Sequence, residues 1–338
     1  MSITLPTAPL KASDFASDQD VRWCPGCGDY SVLAQTRKIL AKLGQERSNT
    51  VFVSGIGCSS RFPYYMNTYG FHSIHGRAPT IATGLKLARH DLNIWIATGD
   101  GDALAIGGNH MLHLIRRNVN VKVLLFNNRI YGLTKGQYSP TTEKGTKTKS
   151  SPMGSLDAPM RPLSFALGVG ATFAARAMAT DVKHLEYVLE RAAKHVGTAF
   201  VEIYQNCVIF NDGVFDYASE KDHKADTTVY VEHGKPMIFG KNRDKGLRLN
   251  RLSPEVVSAT DHAADLLVHD EQEPTAAQAF LLSNLSQPSF PEPFGVFRAV
   301  EQDTIDTLTH NQIATAKSAA PSADLQDLLN GPETWVTE

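Results

Sequence analysis

The chain has 338 residues, of which 42% are hydrophobic and 20% charged, and its formal net charge is −2. This length is ample to bury the core of one large α/β domain or two smaller ones, and the composition argues against extensive disorder. The low charge offers no basic field for nucleic acid, so we expect no such partner. No signal-peptide core and no apolar run of about 18 residues is found, which predicts a cytoplasmic protein without a membrane span.

Short apolar strands alternate with helical patterns along the first two thirds of the chain. The strands are almost continuously apolar, which indicates a parallel sheet covered on both faces. The alternation predicts a three-layer α/β/α, doubly wound parallel sheet, in which ligands bind beyond the carboxyl ends of the strands. In chain order, we predict a helix at 30–43, a strand at 51–55, a helix at 80–89, a strand at 94–98, a helix at 103–117, a strand at 121–126, a helix at 163–167, a strand at 171–174, a helix at 182–195 and a strand at 199–203.

The other parts of the chain carry weaker patterns. Residues 138–162 are rich in Ser, Thr, Lys, Gly and Pro, which predicts a long surface loop of a length that is often functional. Beyond residue 212, we predict a β-hairpin formed by 227–232 and 236–239, and helical pieces such as 273–285. The expected organisation is a loosely structured lead-in (1–22), a main domain (23–213) and a C-terminal extension (214–338).

Acidic and amide side chains follow two neighbouring predicted strands. Gly99-Asp100-Gly101-Asp102 ends one strand and Asn127-Asn128 ends the next. Mg²⁺ bound to a diphosphate takes oxygen ligands, which Asp100, Asn128 and the backbone carbonyl of Ile130 offer. The glycines allow the backbone to approach a diphosphate closely. Ordinary turn geometry is the alternative explanation, but the spacing and strand context favour a diphosphate site. The pattern resembles the thiamine diphosphate fingerprint, GDG followed by NN.

All four cysteines are expected in turns or just after strands. Cys24 and Cys27 form a CxxC motif, while Cys58 and Cys207 each follow a predicted strand. Four thiolates suit either zinc or a [4Fe–4S] cluster, and spacing alone does not distinguish the two. Two further alternatives are a thiol redox pair at the CxxC motif and a purely structural, buried Cys207.

Several motifs together resemble one enzyme family. They are Trp23–Gly28 (WCPGCG), Gly55–Ser59 (GIGCS), His75–Ala78 (HGRA) and the GDG…NN pair. In combination, over about residues 20–213, they resemble the β subunits of 2-oxoacid:ferredoxin oxidoreductases, and most of all the 2-oxoglutarate branch. The resemblance implies a thiamine-diphosphate-binding fold in which four cysteines hold a [4Fe–4S] cluster. Redox chemistry favours iron, because zinc has no accessible redox change.

The resemblance also implies the residues of the site. The cluster ligands would be Cys24, Cys27, Cys58 and Cys207, and the Mg²⁺ ligands Asp100, Asn128 and the carbonyl of Ile130. The residues expected to line thiamine diphosphate are Ile56, Gly57, Cys58, Ser59, His75, Gly101, Asp102, Gly132 and Leu133.

Two residues are expected to act on the substrate. The guanidinium of Arg61 suits the distal carboxylate of a dicarboxylic 2-oxoacid, and segment 130–137 is similar to the 2-oxoglutarate branch. A surface or interface salt bridge is the alternative role for Arg61. His75 is expected in the active site, and its alternative role is to stabilise the turn before the helix at 80–89.

The implied activity needs partners. The family interconverts a 2-oxoacid, CoA and oxidised ferredoxin with an acyl-CoA, CO₂ and reduced ferredoxin, which here would mean 2-oxoglutarate and succinyl-CoA. The glutamate that activates thiamine lies on an α subunit, so an αβ heterodimer or its dimer is expected, and no turnover by this chain alone. The alternatives are a pyruvate-specific or broad-specificity oxidoreductase, a non-oxidative thiamine enzyme with structural zinc, and a zinc-stabilised binding module without catalysis.

Overall fold

A computed structural model describes residues 9–319, 324–335 and 337 of the chain. The first eight residues of the predicted lead-in lie outside the described residues. The strands are β1 (Thr50–Ser54), β2 (Tyr69–His72), β3 (Asn93–Gly99), β4 (Lys122–Asn127), β5 (Phe173–Met178), β6 (Ala199–Tyr204), β7 (Thr228–Val231), β8 (Ile238–Phe239), β9 (Lys245–Asn250), β10 (Ser253–Ser258) and β11 (Glu292–Ala299).

Helices connect these strands and cover the sheet. They are α1 (Asp29–Lys42), α2 (Phe62–Tyr65), α3 (Ala78–Ala88), α4 (Asp100–Leu104), α5 (Gly108–Arg116), α6 (Pro162–Gly168), α7 (Val182–Lys194), α8 (Asp216–Ser219), α9 (Lys221–Thr227), α10 (Ala277–Ser283), α11 (Ile305–Ala319) and α12 (Leu325–Asn330). In the part of the chain that the structure describes, no helix is long and apolar enough to cross a membrane.

The central sheet has eight strands in the order β2-β1-β3-β4-β6-β5-β11-β7. The first six run parallel to one another, whereas β11 is antiparallel to β5 and parallel to β7. Apolar side chains of successive strand residues enter opposite faces, as Val123 and Leu125 pack on one side and Leu124 and Phe126 on the other. Helices α3, α5, α6 and α10 cover the first face, and α1 and α7 cover the second. The predicted three-layer, mostly parallel α/β fold is therefore confirmed.

Two predicted elements are wrong in detail. The segments at 227–232 and 236–239 do not form a hairpin, because β7 pairs with β11 in the central sheet while β8 pairs with β9 in a separate three-stranded sheet. The partner of β7 lies some sixty residues further along the chain, and a local pattern does not reveal it. The predicted helix at 103–117 is broken into α4 and α5, with Gly107 at the break.

The predicted C-terminal extension takes part in the central sheet. It supplies β7 and β11, and it also forms the small antiparallel sheet of β8, β9 and β10. The division of the chain at residue 213 stays a prediction.

Candidate active site

Four loops meet at one edge of the sheet. Strands β1, β3, β4 and β6 are parallel neighbours, so the loops that follow them emerge at the same carboxyl edge. In a doubly wound sheet, this edge is where ligands bind. The GIGCS segment follows β1 and Cys207 follows β6. The GDGD segment spans the end of β3 and the start of α4, and the NN pair spans the end of β4.

A cavity of about 100 Å³ opens at this edge, here called the thiamine cavity. Its wall brings together residues that are spread over more than a hundred positions of the sequence. Every residue predicted to contact thiamine diphosphate or Mg²⁺ lines it: Ile56, Gly57, Cys58, Ser59, His75, Asp100, Gly101, Asp102, Asn128, Ile130, Gly132 and Leu133.

Asp100 is buried beneath this cavity, with 2% of its surface exposed. Its Oδ2 atom accepts hydrogen bonds of 2.5 Å from the hydroxyls of Ser139 and Thr141. Burial raises the pKa of Asp100 to about 6, and the two hydroxyl bonds lower it in part. A cation beside the carboxylate would favour its ionised form. The side-chain oxygen of Asn128 also faces this region and accepts the backbone N–H of Ile130 at 3.2 Å.

Small residues and one unpaired hydroxyl shape the rest of the cavity. A Cβ atom added to Gly101 would lie 2.2 Å from Cε1 of Tyr131, whose hydroxyl donates to the carbonyl of Gly101 at 3.1 Å. Any side chain at position 101 would therefore displace the ring of Tyr131. The hydroxyl of Ser59 is buried and has no hydrogen-bond partner among the described residues. A buried polar atom without a partner is unfavourable unless a ligand satisfies it, so Ser59 fits a polar cofactor.

The four cysteines line a second cavity of about 310 Å³, here called the cysteine cavity. A Cβ atom on Gly132 would lie 3.3 Å from the sulfur of Cys207 and 3.9 Å from that of Cys58, so the three segments that follow β1, β4 and β6 converge closely. The amide of Gln205 donates to the sulfur of Cys27 at 2.9 Å. Within the described residues, no three His, Cys, Asp or Glu side chains are grouped so that they could hold one ion.

The environments of Cys27 and Cys58 disfavour their thiolate forms. Burial first, and then the nearby carboxylate of Asp29, raises the pKa of Cys27 and raises that of Cys58 to about 11. Reactive thiols need a depressed pKa, so free Cys27 would be a poor nucleophile. Coordination to a metal deprotonates a thiol outright, which removes this penalty.

Arg61 lies along the cysteine cavity. Its guanidinium donates to the backbone carbonyl of Arg22. The two cavities share Cys58, so Arg61 is near the thiamine cavity without lining it.

Three residues of the site have no counterpart in the sequence predictions. Asp29 lines the thiamine cavity, and burial raises its pKa to about 7. Asp29 directly follows the CPGCG motif, and this position is the only feature of the sequence that could have indicated its role in the site. Ser139 and Thr141, the partners of Asp100, lie in the segment predicted only as a long surface loop.

Comparisons with known proteins agree with this geometry. Residues 55–203 match the family described as thiamine pyrophosphate enzyme, C-terminal TPP binding domain. The chain is 55% identical over 334 residues to the 2-oxoglutarate oxidoreductase subunit KorB of Mycobacterium tuberculosis, which covers 98% of this chain and 89% of that protein. It is 48% identical over 190 residues to subunit beta of 2-oxoacid:ferredoxin oxidoreductase 1 of Aeropyrum pernix, which covers 56% of this chain and 60% of that protein.

A solved structure is similar over nearly the whole chain. It is the 2-oxoglutarate:ferredoxin oxidoreductase from Magnetococcus marinus with 2-oxoglutarate, coenzyme A and succinyl-CoA bound, with a TM-score of 0.75, 31% identity and 95% coverage of each chain. Fold, cavity and family match together define a thiamine-diphosphate-binding enzyme subunit. Within that class, the chain belongs to the β subunits of the 2-oxoacid:ferredoxin oxidoreductase family, which confirms the resemblance seen in the sequence.

Proposed function

We propose that the chain is the β subunit of a CoA-dependent 2-oxoglutarate:ferredoxin oxidoreductase. It would interconvert 2-oxoglutarate, CoA and oxidised ferredoxin with succinyl-CoA, CO₂ and reduced ferredoxin. One observation carries the proposal: the thiamine cavity and the cysteine cavity adjoin, with Cys58, Asn128, Gly132 and Leu133 in both walls. Decarboxylation and electron removal would therefore occur side by side. The names of the Mycobacterium tuberculosis relative and the Magnetococcus marinus structure support 2-oxoglutarate as the substrate.

The chain's residues fit the diphosphate end of the cofactor. When bound, thiamine diphosphate supplies a carbanion for attack on the 2-oxo carbon and an electron sink for decarboxylation. Asp100, Asn128 and the Ile130 carbonyl would hold the Mg²⁺ that binds its diphosphate. The hydroxyls of Ser139 and Thr141 fix the Asp100 carboxylate before any ion arrives.

The cysteine cavity fits a [4Fe–4S] cluster, which would accept electrons one at a time and pass them to ferredoxin. Cys24, Cys27, Cys58 and Cys207 would be its four ligands. They line the same cavity of about 310 Å³, which offers room for a four-iron cluster. The amide of Gln205 donates to one of these sulfurs, and such hydrogen bonds tune cluster potentials.

The volume and the lining of the thiamine cavity support the need for an α subunit. The cavity volume of about 100 Å³ is well below the roughly 300 Å³ usual for a cofactor site, as expected if a partner chain completes the site. Among the described residues, its acidic lining consists of Asp29, Asp100 and Asp102 and includes no glutamate. The activating glutamate and the rest of the site would come from the partner in a cytoplasmic αβ heterodimer or its dimer.

The decisive experiment is co-expression with the α subunit under anaerobic conditions. We expect 2-oxoglutarate- and CoA-dependent reduction of ferredoxin by the complex, about four iron atoms per β chain, and no turnover by this chain alone. A colourless protein with one zinc and no iron would instead support the non-oxidative thiamine enzyme. Equal kcat/KM for pyruvate and 2-oxoglutarate would support a broad-specificity enzyme.

A further inference from the structure

Asp102 has a different environment from Asp100, although the two lie in the same short helix. Its Oδ1 atom accepts the backbone N–H of Ile56 at 3.0 Å, the backbone N–H of Gly76 at 2.7 Å and Nδ1 of His75 at 2.6 Å. Its Oδ2 atom accepts the hydroxyl of Thr98 at 2.7 Å. Both oxygens are thus engaged by protein groups, and the side chain is only 1% exposed. Little of the carboxylate remains for a cofactor or a metal ion.

The surrounding backbone is shaped to receive this carboxylate. A Cβ atom on Gly55 would lie 1.9 Å from Oδ2 of Asp102, so any side chain at position 55 would displace it. Gly76 has a φ of +70°, and its Cβ atom would lie 2.6 Å from the backbone nitrogen of Gly107. The two glycine turns therefore close around Asp102, one from the loop after β1 and one from the segment before α3.

His75 is held in place from two sides. Its Nδ1 atom meets Asp102, and its ring lies edge-on to that of Tyr131, with ring centroids 6.4 Å apart at an interplanar angle of 88°. The opposite nitrogen, Nε2, has no hydrogen-bond partner among the described residues, and 40% of the side chain is exposed where it lines the thiamine cavity. A carboxylate at one ring nitrogen fixes which nitrogen carries the proton and directs the other.

We propose that Asp102 is a positioning residue that acts through His75. It binds the Nδ1–H of His75, anchors both glycine turns and presents Nε2 to the molecule in the thiamine cavity. The two aspartates of the GDGD motif then have separate roles: Asp100 serves the cation and Asp102 serves the histidine. The consequence for turnover rests on the proposed function, whereas the hydrogen bond between Asp102 and His75 does not.

A double-mutant cycle in the αβ complex tests the coupling. Asp102→Asn and His75→Gln should each lower kcat for 2-oxoglutarate by about 10- to 100-fold, the usual effect of losing such a partner. Asp102→Asn made in the His75→Gln background should lower kcat by less than about threefold, because the two residues act as one unit. An equal loss of kcat in both backgrounds would mean that Asp102 supports only the glycine turns and would overturn the proposal.

Thr98→Val provides a matched control. It removes the bond to Oδ2 of Asp102 and leaves the three bonds to Oδ1, including that of His75, so kcat should fall much less than in Asp102→Asn. A loss of kcat as large as that of Asp102→Asn would argue for a general packing role and against positioning of His75.

A spectroscopic readout separates this proposal from the proposed function. In the full chain labelled with ¹⁵N-histidine, the His75 signals, identified by their absence in His75→Gln, should show a proton on Nδ1 and shift in Asp102→Asn. A wild-type His75 with its proton on Nε2 alone, or a signal unchanged in Asp102→Asn, would refute the pairing. A complex that is inactive with every 2-oxoacid would refute the proposed function. The spectrum would still test the hydrogen bond between Asp102 and His75.

Discussion

The guanidinium of Arg176 on β5 donates a 2.7 Å hydrogen bond to the carboxylate of Glu292 on β11. The same guanidinium donates to Glu202 at 2.9 Å, and Glu202 accepts the side-chain amide of Asn127 at 2.8 Å. All four side chains are almost completely buried. This chain of bonds runs from the C-terminal part of the protein to the residue beside the expected Mg²⁺ ligand Asn128, so β11 supports the site from a distance.

Changes to this ion-pair network should lower stability unequally. Arg176→Met leaves two buried carboxylates unpaired and should lower the free energy of unfolding by about 3–5 kcal/mol. Glu292→Gln leaves Arg176 paired with Glu202 and should cost only about 1–3 kcal/mol. Urea unfolding of the chain measures both.

The surface pair Arg89–Asp91 is the matched control for this comparison. Its side chains are 59% and 46% exposed, so Arg89→Met should leave the free energy of unfolding almost unchanged. Similar losses for Arg89→Met and Arg176→Met would contradict the structural role assigned to the buried network.

The hydroxyls beneath Asp100 should control cofactor affinity. Ser139→Ala and Thr141→Val each remove a 2.5 Å bond that orients the carboxylate. We expect the Kd of Mg²⁺ with thiamine diphosphate to rise about tenfold or more, as is typical when a partner of a metal ligand is lost. Calorimetric titration of the αβ complex measures this, and Ser150→Ala, an exposed hydroxyl of the same loop, should leave the Kd unchanged.

Gln205 should influence the reduction potential of the proposed [4Fe–4S] cluster without being one of its ligands. Gln205→Leu removes the N–H that donates to the sulfur of Cys27, so the reduction potential should become more negative while the iron content stays at the wild-type level. Cys207→Ser, by contrast, should lose iron. A redox titration with iron analysis distinguishes the two variants, and an unchanged potential in Gln205→Leu would remove this residue from the cluster's surroundings.

Arg61 should discriminate between substrates. Loss of a charged hydrogen bond to the distal carboxylate is worth about 1.5–3 kcal/mol, so Arg61→Ala should raise KM for 2-oxoglutarate by about 10- to 100-fold. The KM for 2-oxobutyrate, which lacks that carboxylate, should hardly change. Equal effects on the two substrates would limit Arg61 to its bond with the Arg22 carbonyl.

Stability should depend on pH through His195. Burial, aided by the charges of Lys122 and Arg191, lowers its pKa from 6.5 to about 4. As the pH falls from 6.5 to 4, the unfolded chain takes up the proton first, so the stability contributed by neutral His195 is lost. The free energy of unfolding of wild type should therefore fall by up to about 3 kcal/mol relative to His195→Gln across this range. A difference independent of pH would show that His195 is not buried as a neutral ring.

Most of the central sheet could be predicted because its strands are apolar on both faces. Strands β3, β4 and β6 are buried throughout or nearly so, and this leaves a nearly continuous apolar run in each, interrupted in β6 by Glu202. Strand β2 could not be found, since all four of its residues are exposed and only its pairing with β1 defines it. In β11, Pro293 and Gly295, which has a φ of +133°, weaken the strand pattern.

Most of the site residues that could be predicted from the sequence lie at the ends of strands. Residues at the carboxyl ends of parallel strands converge by geometry, so the GIGCS and GDGD motifs already indicated a common cavity. Ser139 and Thr141 reach Asp100 only because of the path taken by a long loop, and no periodic pattern encodes that path. The burial of Asp29 also depends on tertiary packing, because the segment before it contacts the loop after β1, where Trp23 Nε1 donates to the carbonyl of Cys58 at 2.7 Å.

The positions of the four cysteines along the chain determine when a cluster could be inserted during synthesis and folding. Cys24 and Cys27 precede α1, Cys58 follows β1 and Cys207 follows β6. A chain emerging from the ribosome therefore has no complete cysteine cavity until Cys207 has been made and β6 has joined β4. Insertion of a cluster would therefore follow the assembly of β1 to β6, whereas β7 and β11 are made later.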